Sequence, residues 1–338
     1  MPINFLALET SCDETSVAVF NDRLVVLANV VSSQEQWHSR FQGVVPEIAA
    51  RAHMELLGLA MEKALTQAKL QLSDIGAIAV HYGPGLAGCL LVGLSAAKAL
   101  ALALGVPLIA VNHVHSHLFA ARMTAAKEVF PAVGLVVSGG HTLLFDCESP
   151  TKMIRLGGTI DDAAGEAFDK IASLLGLGFP GGPAVEKEAR GGDPRAFKFP
   201  RSFAHESRLD FSFSGLKTAV RYTLAGPGEE TPLPPEPGKL RADIAASFQL
   251  AVIDILVLKC LQAVEKMGRK KLIAGGGVLA NRELRSRLES AAREKGIELF
   301  LPTSSLCTDN AAMAALAVEY WKAGEFSPLD LEIQPTVF

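Results

Sequence analysis

Short apolar runs and polar turns open the two halves of the chain in the same order. Residues 5–8 and 17–20 are apolar runs on either side of a polar turn, and residues 134–137 and 143–145 repeat that arrangement. Runs of this length bounded by turn residues predict buried strands. The repetition indicates two related α/β lobes.

Strand and helix patterns then alternate through each half. Alternation of this kind favours sheets covered by helices on both faces. In the first long helix, an apolar stripe through Ile48, Leu56, Leu59 and Leu65 is expected to face the core. The pattern predicts further strands at 24–31, 75–80, 271–274 and 297–301, and helices at 47–67, 88–104, 161–175, 242–267, 281–295 and 309–321.

Length and composition indicate a two-domain globular protein. The chain has 338 residues, of which 49% are hydrophobic and 20% charged, with a net charge of −4. This charge gives no global attraction to nucleic acid, so any such contact must be local. Five scattered cysteines without a C-x-x-C pair argue against zinc ribbons and favour a reducing, cytoplasmic location. No secretory signal is recognised, and Lys98 and Pro107 interrupt the apolar segment 90–108, which predicts a buried helix and strand rather than a membrane span.

Three histidines within five residues follow the apolar run 106–111. A helix that begins near Asn112 places His113 and His117 one turn apart on one face, where two imidazoles can bind a single metal ion. The alternative, a polar helix start with hydrogen-bonded histidines, stays open. A third ligand must come from elsewhere, and Asp309 precedes an alanine-rich run. Asp309 is either a helix N-cap or the ligand that completes a His, His, Asp set with open positions.

Several glycine-rich turns join the predicted elements. They are Ser138–His141, 157–158, 180–183 and 275–277. Glycine lets backbone N–H groups approach an anion closely, so together these turns suggest lobes that bind a nucleotide or phosphate. Residues 83–88 match G-x-G-x-x-G, but no acidic residue ends the next strand. We therefore predict close helix packing there and not a dinucleotide site.

A basic and aromatic stretch lies between residues 190 and 221. It has two readings: a surface that binds a polyanion and stacks bases, or a solvated face with its phenylalanines in the core. The Pro- and Gly-rich segment 226–240 predicts a flexible surface loop. H-E-x-x-H, G-x-x-x-x-G-K-[ST] and G-x-S-x-G are absent from the sequence, and Ser138 and His141 share one tight turn, which gives no support to a nucleophile pair.

Nine motifs, in order and over nearly the whole chain, resemble the TsaD family, formerly labelled glycoprotease or O-sialoglycoprotein endopeptidase. The string at 160–170 is similar to the bacterial branch. The motifs are ETSCDET at 9–15, GVVPE at 43–47, GPGL at 83–86, VSGGHT at 137–142, IDDAAGEAFDK at 160–170, PGGP at 180–183, DFSFSGLKT at 210–218, GGGVLAN at 275–281 and CTDN at 307–310.

The resemblance implies an α/β fold of the actin-like, Hsp70 and sugar-kinase (ASKHA) type, with two ribonuclease-H-like lobes and a cleft between them. We expect lobes at 1–130 and 131–310, with 311–338 packing back on the first. The implied reaction moves threonylcarbamoyl from L-threonylcarbamoyladenylate to N6 of the adenosine 3′ of the anticodon, in tRNAs that read codons beginning with adenine, and releases AMP. Implied partners are a TsaB-type paralogue and a TsaE-type ATPase, with the donor made by TsaC or Sua-type synthases.

The resemblance also implies site residues. Metal ligands are His113, His117 and Asp309, for one Fe²⁺ or Zn²⁺ per chain. Where the family usually has His-x-Glu-Gly-His, this chain has His115 in place of the glutamate, and we expect its ring to point away from the ligand face. The implied adenylate-binding positions are Val136, Val137, Ser138, Gly139, Gly140, Asp169, Gly182 and Asn281. Further candidates are Asp13, Glu14, His141 and Glu186 for the pocket or proton transfer, and Arg190, Arg195, Lys198, Arg201 and Lys217 for tRNA.

Two other functions remain at this stage. One is the metallopeptidase of the older family label, against which the missing H-E-x-x-H and the nucleotide-type loops both count. The other is a non-catalytic nucleotide-binding subunit, against which the presence of His113, His117 and Asp309 counts, because a scaffold has no use for an open metal site.

Overall fold

The chain folds into two compact units. The computed structural model describes residues 2–41, 43–125, 127–225 and 234–336. Unit 1 comprises Met1–Lys127 and Pro302–Phe338, and unit 2 comprises Glu128–Leu301. Residues 302–310, assigned from sequence to the second lobe, thus belong to unit 1. The larger part of the predicted flexible loop, residues 226–233, lies outside the described residues.

Ten strands and ten helices make up the regular structure of the described residues. The strands are β1 (Asn4–Glu9), β2 (Glu14–Asn21), β3 (Val26–Ser33), β4 (Ile75–Gly83), β5 (Leu108–Asn112), β6 (Ala132–Val137), β7 (Thr142–Cys147), β8 (Met153–Gly158), β9 (Lys271–Gly275) and β10 (Glu298–Phe300). The helices are α1 (Glu35–His38), α2 (Pro46–Ala68), α3 (Ala87–Leu104), α4 (His113–Thr124), α5 (Ala164–Leu174), α6 (Gly181–Ala189), α7 (Ser214–Ala225), α8 (Lys239–Met267), α9 (Arg282–Lys295) and α10 (Ala317–Ala323).

The two sheets have the same topology. Unit 1 has the order β3-β2-β1-β4-β5 and unit 2 the order β10-β9-β6-β7-β8. In each unit the first three strands in sequence are antiparallel, and the first strand pairs in parallel with the fourth, which pairs in parallel with the fifth. The repeat predicted from the strand–turn–strand openings is therefore present in the folded units.

The buried face of α2 differs from the predicted stripe. Small residues, chiefly Ala49, Ala52, Ala60 and Ala64, lie against the sheet, whereas Leu59 is 56% exposed. The stripe prediction was right for Leu65, which packs against the core cluster of unit 1, and wrong for Leu59. Alanine permits close packing on a sheet but contributes little to an apolar pattern. The same helix therefore also carries exposed apolar side chains.

The predicted buried helix and strand at 90–108 are α3 and β5. Helices α3 and α8 are long and apolar enough to cross a membrane by length and composition, which is weak evidence because core helices pass the same test. Leu94, Ala97 and Ala101 of α3 lie in the core cluster of unit 1. The preceding glycines pack closely, as predicted: a Cβ on Gly85 would lie 2.5 Å from the Ser11 carbonyl oxygen.

A buried lysine organises the basic and aromatic stretch of unit 2. Lys259 of α8 is fully buried, and its Nζ donates to the carbonyl oxygens of Phe203 (2.7 Å), Glu206 (3.0 Å) and Arg208 (2.7 Å). An ammonium has three donors, and here all three are used. One buried side chain therefore fixes the backbone of the loop 203–208.

Lys259→Met should destabilise the protein by about 2–4 kcal/mol, because it removes three charge-assisted hydrogen bonds to the carbonyl groups of this loop. Chemical denaturation with circular dichroism measures this. Lys266→Met, on an exposed turn of the same helix, should change stability by no more than about 0.5 kcal/mol. Equal effects of the two changes would contradict the role given to Lys259.

Candidate metal centre and glycine-rich loops

Helix α4 begins where the sequence predicted. The Asn112 side-chain oxygen accepts hydrogen bonds from the N–H groups of Val114 (2.9 Å) and His115 (3.1 Å), which caps the helix. His113 and His117 are consequently one turn apart, and their ring centroids are 4.7 Å from each other. Both rings are buried.

Asp309 faces both histidines. Its Oδ1 lies 3.2 Å from His117 Nε2 and 3.8 Å from His113 Nε2. Asp309 does not act as a helix cap, since Asn310 precedes the 3-10 helix Ala311–Leu316 and shows no side-chain cap bond. The alternative N-cap reading of Asp309 is thereby removed, and His113, His117 and Asp309 form a group whose ligand atoms lie within 4.8 Å of one another.

Two residues that the sequence did not single out lie behind His113. Glu9 ends β1 and His81 lies near the end of β4, and both are fully buried. Glu9 Oε2 lies 2.6 Å from His81 Nδ1 and 3.0 Å from His113 Nδ1. The parallel pairing of Leu8 with Val80 brings these strand ends side by side. A histidine inside an otherwise apolar strand was the available sequence signal.

In this cluster, burial and close pairing with oppositely charged groups shift each pKa in opposite directions. Burial alone would raise the pKa of Glu9, but His81 and His113 outweigh it and hold the pKa well below its ordinary value. Burial likewise would raise the pKa of Asp309, and His113 and His117 lower it. Burial works to lower the pKa of His113, yet Glu9 and Asp309 raise it to about 9. Positive charge is therefore stabilised at this position.

The ETSCDET segment adds further carboxyl groups. Burial, followed by Asp309 and Asp13, raises the pKa of Glu14 well above its ordinary value. Burial, followed by Asp13 and Asp309, likewise raises the pKa of the Cys12 thiol well above its ordinary value. Glu14 and Cys12 thus lie in the electrostatic field of Asp309, within unit 1.

His115 does not join the ligands. It is half-buried, and burial lowers its pKa to about 4, so the ring is neutral at physiological pH. Among the residues that the structure describes, the two groups able to hold a metal ion are His113 with His117 and Asp309, and Glu9 with His81 and His113. His115 belongs to neither group, which agrees with the expectation that its ring points away from the ligand face.

The His113, His117 and Asp309 group fits a transition metal. Both ring nitrogens of His117 are buried and, within the described part of the chain, make no aligned hydrogen bond. A buried imidazole without a partner is costly unless its lone pair has another use. Two imidazoles and one carboxylate are a donor set suited to zinc or iron, with positions left open.

In unit 2, the turn after β6 is docked on the start of α5. The carbonyl oxygens of Ser138 and Gly139 accept from the N–H groups of Gly165 (3.2 Å) and Glu166 (3.1 Å). The Ser138 hydroxyl accepts from the backbone N–H of His141 (3.1 Å), so its role is to close the turn. Gly139 and Gly140 are exposed, and over the described ranges their own N–H groups have no acceptor. Two adjacent amides of this kind form an anion-binding concavity.

The second glycine turn is held against the middle of α5. Asp169 Oδ1 accepts from the N–H of Gly181 (2.7 Å) at the start of α6. A Cβ on Gly181 would lie 2.5 Å from the Asp169 Cα, whereas Gly182 has open space beside it. The turns at 138–141 and 180–182 are thus brought together through α5. Val136 and Val137 are buried in β6 and offer only backbone there.

Asn281 belongs to a third turn of unit 2. It caps α9 through Leu284 N–H (3.0 Å), and its Nδ2 donates to Gln249 Oε1 (2.7 Å). Gln249 lines a cavity of about 300 Å³ together with Glu186 and three arginines, Arg190, Arg282 and Arg287. Gly276 (φ +104°) passes so close to β6 that a Cβ would lie 2.3 Å from the Val137 carbonyl oxygen. The strand order therefore sets this turn beside the Ser138 turn.

The basic and aromatic stretch is only partly a surface. Phe199, Phe211 and Phe213 are buried, which favours the core reading for them. Arg201 binds Asp254 (2.8 Å), while Arg195 and Lys198 are exposed. The remaining tRNA candidates differ: Arg190 is exposed beside Glu186 (3.7 Å), and Lys217 is half-buried on α7.

Solved structures with low sequence identity share the fold. Full-length HypF has a TM-score of 0.63 at 15% identity, covering 96% of this chain and 56% of that one. Component A of (R)-2-hydroxyglutaryl-CoA dehydratase from Acidaminococcus fermentans has a TM-score of 0.53 at 15% identity, covering 95% and 99%. The predicted fold of actin-like, ASKHA type is confirmed by these neighbours.

Two relatives of about 50% identity carry the same name. The protein from Rhodopirellula baltica is 49% identical, covering 98% of this chain and 96% of the relative, and that from Moorella thermoacetica is 50% identical with the same coverage; both are named tRNA N6-adenosine threonylcarbamoyltransferase. The sequence profile described as TsaD, tRNA N6-adenosine threonylcarbamoyltransferase, matches residues 25–316. The chain therefore belongs to the TsaD family of tRNA N6-adenosine threonylcarbamoyltransferases.

Proposed function

We propose that this protein transfers the threonylcarbamoyl group from L-threonylcarbamoyladenylate to N6 of the adenosine 3′ of the anticodon, in tRNAs that read codons beginning with adenine, with release of AMP. The observation that carries the proposal is the buried group of His113, His117 and Asp309 in a chain of this family. A binding subunit or scaffold would have no use for it. The older peptidase label is not supported by any H-E-x-x-H motif in the sequence.

His113, His117 and Asp309 would hold one Fe²⁺ or Zn²⁺. When bound, such an ion supplies Lewis acidity and orients the oxygen atoms of the donor. The protein contributes the rest of the arrangement: α4 fixes the two rings, and the acidic surroundings stabilise the positive charge.

The adenylate would bind to the glycine turns of unit 2. The exposed N–H groups of Gly139 and Gly140 suit the phosphate. Asp169 keeps Gly182 in place through Gly181, and its carboxylate also suits a ribose hydroxyl. Asn281 and Glu186, around the adjoining cavity, are candidates for contacts to the nucleoside.

The mixed anhydride of the donor already contains a good leaving group, so the protein's main task is to position the donor and the attacking amine. Among Asp13, Glu14 and His141, Glu14 is the best supported for holding a proton, because burial and the neighbouring carboxylates raise its pKa. Arg190, Arg195 and Lys198, which are exposed, are the better-supported tRNA contacts, and Lys217 is a further candidate. Arg201 already binds Asp254 and is the weakest of the five candidates.

A TsaB-type paralogue and a TsaE-type ATPase are the proposed partners, in the cytoplasm. Exposed apolar side chains on neighbouring helices of unit 1 support a protein partner there: Met54 on α2 and Leu91 and Leu102 on α3 are 72%, 52% and 71% exposed. Such side chains on two adjacent helices are typical of an interaction surface.

Transfer of labelled threonine to an unmodified tRNA tests the activity. The chain with its partner proteins should modify the tRNA, and His117→Ala should reduce the rate at least about a hundredfold, since a metal contributes several kcal/mol to such a site. His115→Ala serves as the control on the same helix. Release of peptides from a protein substrate, without labelling of tRNA, would contradict the proposal.

Metal analysis tests the site assignment separately. The purified protein should contain about one transition metal ion per chain, because the site is a single His, His, Asp set. His113→Ala should lose the metal and His115→Ala should keep it. Normal metal content in His113→Ala would reject the assignment.

Gly181→Ala tests the adenylate site. The new Cβ would collide with the Asp169 backbone and push α6 away from α5, so affinity for a non-hydrolysable adenylate analogue should fall about tenfold or more. Gly178→Ala, which has open space within 4 Å of its Cβ, is the matched control. Calorimetric titration measures both, and equal affinities would count against this placement.

A further inference from the structure

Glu9 is a buried carboxylate with three donors around it. Oε1 accepts from the backbone N–H of Ser11, while Oε2 faces His113 Nδ1 at 3.0 Å and His81 Nδ1 at 2.6 Å. Glu9 and His81 are fully buried. This carboxylate is therefore occupied on both oxygens by groups of unit 1.

A second metal ion among Glu9, His81 and His113 does not explain these distances. One oxygen lies at hydrogen-bond distance from both Nδ1 atoms. A tetrahedral ion with bonds of about 2.0–2.1 Å would separate its ligand atoms by about 3.3 Å. The 2.6 Å separation of Glu9 Oε2 from His81 Nδ1 is too short for two ligands of one ion and is that of a direct ion-pair contact.

The orientation of His113 follows from the same contacts. Its Nδ1 faces Glu9 Oε2, with the Ser11 hydroxyl also 3.2 Å away, and its Nε2 faces Asp309. An imidazole that donates its Nδ1 proton to a carboxylate presents a more basic Nε2 in a fixed direction. The geometry thus selects Nε2 as the nitrogen that His113 turns toward the proposed metal position, which it shares with His117 and Asp309.

We propose that Glu9 and His81 are positioning residues for the metal site: Glu9 fixes the ring and proton of His113, and His81 fixes Glu9. This rests on the proposed metal ligands and adds two residues to them. His81 is suited to the role because it lies in an interior strand, and because neither of its ring nitrogens makes an aligned hydrogen bond among the described residues, which leaves the 2.6 Å contact of Nδ1 with Glu9 as its polar interaction.

Glutamine cannot replace Glu9. The amide has one accepting oxygen and one donating nitrogen, whereas the site presents donors to both positions. If the amide nitrogen takes the Oε2 position, its protons point at the Nδ1 protons of His81 and His113. The His113 proton must then move to Nε2. With nitrogen at Oε1, it opposes the N–H of Ser11. Either orientation disturbs the hydrogen bonds that orient His113.

Metal affinity of the folded protein tests this. Co²⁺ and Zn²⁺ binding to the full chain would be measured by competition with a chelator, together with the visible spectrum of the Co²⁺ form and the thermal midpoint. Glu9→Gln should weaken binding about 10–100-fold and alter the Co²⁺ spectrum. Asp146→Asn is the control: it neutralises a buried carboxylate bonded to Arg269 in unit 2, and should lower the thermal midpoint without changing affinity.

His81 provides a second, paired test, which also decides the matter if Glu9→Gln does not fold. His81→Asn places an amide nitrogen near the position of Nδ1 and should keep affinity within about threefold of the wild type. His81→Leu removes the donor and should lower affinity about tenfold. A purely structural role would give equal affinities for the two variants.

Three results would overturn the proposal. They are an unchanged metal affinity in Glu9→Gln, an equal loss of affinity in Glu9→Gln and Asp146→Asn, and equal affinities in the two His81 variants. Failure of the wild-type chain to bind either ion would overturn the proposed metal site as well. Binding by the wild type that is lost in His113→Ala but unaffected in Glu9→Gln would leave the metal site standing and reject the positioning role alone.

Discussion

The parallel pairing of β1, β4 and β5 is the constraint on which the candidate metal centre depends. Parallel neighbours end at the same edge of a sheet, so three strand ends meet there. Glu9, His81 and the cap of α4 therefore lie together in a volume that excludes water. Burial of these polar groups would be unfavourable one by one, and their mutual contacts offset that cost.

The second unit uses the same strand order for different chemistry. At the ends of β6 and β9 the chain places glycine turns instead of charged side chains. Backbones approach closely at Gly181 against Asp169 and at Gly276 against Val137, and the amide groups of Gly139 and Gly140 in the Ser138 turn are exposed. One topology thus supports an arrangement of ligand side chains in unit 1 and of backbone donors in unit 2.

The sequence predicted what depends on local geometry. The start of α4 and the spacing of His113 and His117 follow from an N-cap and the helical repeat, and both are present. Asp309 lies nearly 200 positions away, and its role was implied by the resemblance rather than by spacing. Glu9 and His81 were missed because only the sheet order makes them neighbours. The stripe assigned to α2 was only partly right, because the buried positions of that helix are mainly alanines, which carry little periodic signal.

His115 stands where the resemblance led us to expect a glutamate, and its surroundings keep it from opposing a bound cation. The ring is neutral at physiological pH because burial lowers its pKa to about 4, so it adds no positive charge beside the candidate metal ligands. The negative charge that favours a cation comes instead from Asp309 and, through His113, from Glu9. Both carboxylates lie outside α4, so this negative charge does not depend on the residue at position 115. The fixed part of the helix is its first turn, where the Asn112 cap sets the direction of His113 and, one turn later, of His117.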